Sequence, residues 1–300
     1  MAPGDLVNRP GHVEITGPGG TVLLGPGTPY GWRTLTGWEE TPPYDSGTVP
    51  RAGAHGAYLG RLLAQPRTIA LDGLTIRTDP GRMSAAVRAL AAATALADDE
   101  LPLVVQLDDA PPLLMFARCI RQAVPTAAGG YALGVVTEGS VQFEATDPRR
   151  YGLVEQVVET QLPAAEPGLN WATAGLAWPL EWGTPGSTGA LTVVNEGDAP
   201  AHPVITFRGP VDTPSITNLT TGDVLEYETP LAASDVLTID TGAGTVLLNS
   251  TASRLGDVSP RSVPEESFVL PPGTTTLIYR AAPGSDPQST AAVRFRSAYW

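Results

Sequence analysis

Glycine and proline interrupt this chain every few residues, 33 and 30 of them in 300. Such punctuation leaves little room for long helices and favours many short strands joined by turns. With 42% apolar residues the chain still has the material for packed cores, so disorder is excluded. Its length suits about two domains. One window escapes the punctuation: Met83, Val87, Leu90 and Ala97 fall on one helical face. Asp79 suits the N-cap there and Pro80 the first helical position, and the alanine-rich run carries the predicted helix through Leu96 to a stop near Asp98-Asp99.

Strands are expected on either side. Val13–Thr16 and Thr21–Leu24 flank the turn Gly17-Pro-Gly-Gly20. Residues 25–53 carry Tyr30, Trp32, Trp38 and Tyr44 among few regular signals and read as a long ordered loop of the kind that a partner covers. Thr68–Thr78 alternates as a strand whose phase changes at Asp72-Gly73, which a bulge would allow. Leu103–Leu107, Leu113–Ile120, Ala132–Thr137 and Ser140–Ala145 follow as strands, giving an α+β domain over residues 1–152. Residues 153–189 read as a connector containing the strand Val154–Thr160 and then Trp171, Trp178 and Trp182. These three rings suit an interdomain staple better than a sugar-stacking platform. Nine short strand candidates, Glu266–Leu270 among them, fill residues 190–300 and suggest a β-sandwich or jelly roll.

Charge and motifs narrow the function classes. A net charge of −13 argues against a nucleic-acid-binding surface, while an acidic pore would let DNA pass without sticking. All 18 basic residues are arginine, which coding bias explains better than a use of arginine at protein contacts, though the two are compatible. The single cysteine, Cys119, sits in an apolar run and reads as a buried small side chain. No apolar run reaches the ~20 residues of a membrane span, and the N-terminus has no signal-peptide pattern, so synthesis and folding in a cytoplasm are expected. His12, His55 and His202 lie far apart in turn-rich contexts. No hydrolase, zinc or phosphate-binding motif is present. The doublets Glu39-Glu40, Asp98-Asp99, Asp108-Asp109 and Glu265-Glu266 would point to opposite faces of a strand and make no general acid/base pair. No catalytic residue, metal or cofactor is expected.

The stretch Val141-Gln-Phe-Glu-Ala-Thr-Asp-Pro-Arg-Arg-Tyr-Gly152 runs an alternating strand into a Thr-Asp-Pro turn and an arginine pair. Together with Val49-Pro-Arg-Ala-Gly-Ala-His-Gly56, Arg61 and Ile69–Gly73, it resembles the ring-forming domain of distal tail proteins of long-tailed phages. Asn195-Glu-Gly-Asp-Ala-Pro200, Pro203–Phe207, Gly209-Pro-Val211, Leu237–Thr241 and Leu270–Thr274 are similar to actinobacterial phage tail proteins. The resemblance implies a homohexameric ring at the distal end of the tail tube, in the virion. It would join the major tail tube protein to the tail-tip hub protein and surround a channel for the tape measure protein and DNA. It implies a galectin-like C-terminal sandwich that in this family can carry receptor-binding proteins or bind host glycan. An adhesin whose sandwich binds cell-wall sugar is the alternative. Neither sequence-specific nucleic-acid binding nor membrane insertion is expected.

Under that reading Tyr30, Trp32, Trp38, Tyr44 and the helix residues Met83, Val87 and Leu90 are candidates for contacts between subunits. Arg51, His55 and Arg61 are candidates to pair with carboxylates across the interface. Arg149 and Arg150 are placed at the domain junction or at the contact to the next ring.

Overall fold

The computed structural model describes residues 2–164 and 186–300. The chain divides into two compact units, residues 1–153 with Trp300, and residues 154–299. Both are dominated by antiparallel strands. Among the described residues no helix is long and apolar enough to cross a membrane.

In the first unit one antiparallel sheet runs in the order Gly20–Leu24, His12–Gly17, Leu101–Gln106, Leu113–Ala123, Val135–Ala145, Arg67–Arg77, Tyr30–Gly31. Cross-strand partners carry its buried face: Val13 opposes Val105, Leu103 opposes Met115, and Phe143 opposes Ile69. Burial on the Arg67–Arg77 strand alternates until Asp72, then changes phase so that Leu74 and Ile76 point inward. Gly73 has φ +67° and is skipped in the pairing with Gly139 and Ser140, so the expected bulge is there. A Cβ at Gly73 would also meet the Arg33 side chain at 2.7 Å.

The helix spans Met83–Ala93, shorter at both ends than the periodicity suggests. Asp79 makes no side-chain cap; the chain enters through a 3-10 turn at Pro80–Arg82. The helix ends at Thr94, whose hydroxyl donates back to the Leu90 carbonyl at 2.8 Å. Met83, Leu90 and Ala93 bury against the unit's own sheet, with Val87 packed at the edge of the same core. A second helix, Ala128–Leu133, occupies ground expected to begin a strand, and Gly134 in the left-handed region closes it. The strand then runs unbroken over Val135–Ala145.

Residues 25–53 are not one long loop. Tyr30–Gly31 and Thr34–Thr36 pair with the Arg67–Arg77 strand and extend the sheet. Beyond them Tyr44–Ser46 pairs with Leu62–Ala64 and Val49–Pro50 pairs with Ala57–Tyr58, forming a two-stranded arm. Its backbones come close at Gly60, where a Cβ would lie 2.0 Å from the Gly47 carbonyl carbon.

The second unit contains a six-stranded sheet, Gln156–Gln161, Thr290–Phe295, Val204–Arg208, Val236–Asp240, Thr245–Leu248, Ala252–Ser253. Its four-stranded sheet is Ala190–Asn195, Gly273–Arg280, Ser215–Asn218, Val224–Glu226. The strand expected within the connector is thus the edge of the larger sheet. Glu265–Ser267 forms a 3-10 turn where a strand is expected. Phe207 of one sheet stacks on Tyr279 of the other, ring centroids 5.4 Å apart, so the sheets meet face to face across the core. Buried Asn195 satisfies its whole amide: Nδ2 donates to the Ala199 and Leu270 carbonyls, and Oδ1 accepts from the Gly197 and Ala298 amides. Asn218, within the Asn-Leu-Thr glycosylation pattern, is buried and caps the turn that follows it.

Candidate assembly surface

The arm is the part of the first unit that most needs a partner. From Pro43 to Pro66 every residue is exposed except Gly60, which is half-buried. Both faces of a two-stranded ribbon are therefore open to water, and such a ribbon alone is marginal in stability. Yet it carries Tyr44, Val49, Tyr58, Leu59, Leu62 and Leu63, all more than half exposed, with Leu59 at 93%. Scattered exposed apolar residues are ordinary, but six large ones within twenty residues make the arm the candidate contact surface of this unit. At the tip, Arg51 lies 5.0 Å over the Tyr58 ring and its amide donates to the Gly56 carbonyl, closing the turn that holds His55.

The root of the arm is rigid. Trp38 is buried, and Arg67, only 1% exposed, donates from Nη1 to the Trp38 carbonyl at 2.6 Å. Arg67 Nε and Nη2 have no hydrogen-bond partner among the described residues. Burial, then the neighbouring Arg150, pulls the Arg67 guanidinium below its ordinary pKa, against the pull of Glu39 and Glu40. Arg150 sits over the Trp38 ring at 5.9 Å, pairs with Glu39 at 2.7 Å and donates to the Trp300 carbonyl. One residue earlier, Arg149 grips Asp147 with both arms of its guanidinium, at 2.7 and 2.8 Å, and the Tyr151 hydroxyl donates to the same carboxylate. The Thr-Asp-Pro-Arg-Arg-Tyr stretch thus works as a knot of paired charges that holds the sheet end against the root of the arm.

These positions correct several expectations. Tyr30, Trp38, Met83 and Leu90 are buried in the first unit's own core rather than set on its surface. The Tyr30 hydroxyl donates to the Ala86 carbonyl at 2.9 Å, fastening the sheet to the helix. Trp32 and Val87 are half-buried against the same core, with Trp32 Nε1 donating to the Gly11 carbonyl. Arg150 is largely buried and neutralised by Glu39, which leaves it unsuited to reach a next ring. Tyr44, Arg51, His55 and Arg61 do lie on open surface, all on the arm. Sequence reasoning passed over Val49, Tyr58, Leu59, Leu62 and Leu63; the apolar density of Ala57-Tyr-Leu-Gly-Arg-Leu-Leu-Ala64 between turn signals was the available clue. Trp171, Trp178 and Trp182 lie outside the described residues.

No group of three or more metal-ligating side chains occurs among the described residues. Cys119 is buried, which pushes its thiol up.

Residues 196–299 match the family described as siphovirus-type tail component, C-terminal domain. The chain is also similar in structure to the crystal structure of Dit from phage SPP1, with a TM-score of 0.62, 14% identity, and coverage of 96% of this chain and 99% of that one. Residues 196–299 thus carry the family match, and the chain as a whole shares the fold of Dit. The chain further resembles a chain of the phage P2 baseplate in its activated conformation with calcium, at a TM-score of 0.51, 8% identity, and coverage of 94% and 97%. The same baseplate with strontium gives 0.50 at 8% identity, again covering 94% of this chain and 97% of that one. No curated protein sequence matches the chain.

Proposed function

We infer that six copies of this Dit-like protein close into a ring at the distal end of the tail tube. The ring joins the major tail tube protein to the tail-tip hub protein and encircles the path of the tape measure protein and DNA. The observation that carries this reading is the arm, open on both faces and apolar, on a unit whose remaining strands already have a core of their own. The solved relative from phage SPP1 is described as a paradigm of the hub adsorption apparatus in phages infecting Gram-positive hosts. A net charge of −13 suits the lining of a channel that DNA traverses without binding. The second unit, a two-sheet sandwich that we take to be galectin-like, is the part suited to carry receptor-binding proteins.

Negative-stain electron microscopy of the purified full chain tests the reading. Closed six-fold rings with a central hole are expected. A field of single, monomer-sized particles, unchanged at high protein concentration, would overturn it.

A further inference from the structure

We propose that the tip of each arm docks into an acidic, aromatic groove at the root of the next copy's arm, making the ring contact head-to-tail. This rests on the ring reading above and names the surfaces that meet. The groove, of about 430 Å³, is lined by Glu39, Glu40, Pro42, Tyr44, Leu62 and Trp300, together with Thr41 and Ala64. Its size falls in the ~300–1,000 Å³ range of pockets that hold ligands. Tyr44, Leu62 and Ala64 share one face of the ribbon because Tyr44 opposes Ala64 and Ser46 opposes Leu62. The lining is therefore largely apolar and includes two carboxylates, Glu39 and Glu40.

Three features select a second copy of this chain as the occupant. The arm bears two arginines, Arg51 and Arg61, against one carboxylate, Asp45, a local positive excess in a chain of net charge −13. Neither arginine makes an ion pair among the described residues, and neither does Glu40 at the groove. The tip also presents a preassembled cation–aromatic pair, Arg51 over Tyr58, to a groove whose lining holds Tyr44, Trp300 and two carboxylates. Unlike surfaces meeting in this way form a heterologous contact, which closes into a ring when the rotation allows it.

One chain cannot satisfy its own groove. Arg51 lies seven positions beyond Tyr44, so the tip stands roughly 23 Å from the root at ~3.3 Å per residue. A disulfide needs Cα atoms within ~7 Å. The full-length double variant Glu40→Cys with Arg51→Cys should therefore give, under mild oxidation, a ladder of covalent multimers on non-reducing gels up to six copies. Each single substitution, which adds one cysteine to the buried native Cys119, should give no such ladder. Charge reversal provides an independent readout: Glu40→Arg alone, and Arg51→Glu with Arg61→Glu alone, should each raise the concentration for half-assembly at least tenfold, and combining them should restore it. If rings form by electron microscopy while no ladder appears and the reversals change nothing, the arm docks elsewhere: the proposal fails and the ring reading stands. If no rings form at any concentration, both fail. A ladder only with another tail protein present, carrying that protein's mass, would also overturn the choice of occupant.

Discussion

Leu59 offers the sharpest test of whether the arm is an interface. It is 93% exposed, so it contributes almost nothing to the folded monomer. If a neighbouring copy covers it, its burial contributes about 2 kcal/mol to each contact, from the ~1.5–3 kcal/mol of a fully buried leucine. Leu59→Ser should then weaken each contact by about 30-fold, since 1.4 kcal/mol is a factor of ten. The loss compounds around a ring in which every copy makes two such contacts. Light scattering across a dilution series should show the assembled mass collapsing at a concentration at least 30-fold higher than for the native chain. Thermal melts of both proteins, diluted until each is monomeric, should differ by no more than a surface substitution produces, about 0.5 kcal/mol. An unchanged dilution midpoint would refute the reasoning. So would a loss of monomer stability as large as the loss of assembly, because it would make Leu59 a residue of the fold.

Two further outcomes are expected. Burial pushes the Asp147 carboxyl up, but the hydrogen bonds and charge of Arg149 and the Tyr151 hydroxyl outweigh it and hold the group below the ordinary value. A carboxyl depressed in the folded state stabilises above its unfolded pKa of about 3.9 and loses that contribution as pH falls through the folded value; acid melts should show stability falling below about pH 4, and Asp147→Asn should lower stability at pH 7 and flatten this slope. Gly60→Ala would force a methyl group into the Gly47 carbonyl, so the arm should splay and become the first site of limited proteolysis, with assembly lost and the far-ultraviolet circular dichroism of the rest retained.

Much of the scaffold was legible because its determinants are local. Gly/Pro spacing gave the short strands, and the break in alternation at Asp72-Gly73 located the bulge that the structure shows. The arm was hidden because its pairings depend on a ladder between Tyr44–Ser46 and Leu62–Ala64, which no local pattern specifies. An apolar residue also looks the same in sequence whether it faces a core or a partner. That is why Tyr30, Trp38, Met83 and Leu90 stood as interface candidates, while Leu59, Leu62 and Leu63 went unremarked. Asp79 failed as a cap because the chain enters the helix through a 3-10 turn, so the first α-helical residue is Met83 rather than Pro80. The Arg150–Glu39 pair joins residues 111 apart, beyond the reach of spacing arguments.

The central claim, a closed homohexamer, is tested most directly by the solution mass of the purified chain. Multi-angle light scattering should give six copies of 31.2 kDa, about 187 kDa, constant across the elution peak as a closed ring requires. A mass of 31.2 kDa that persists as concentration rises would contradict it.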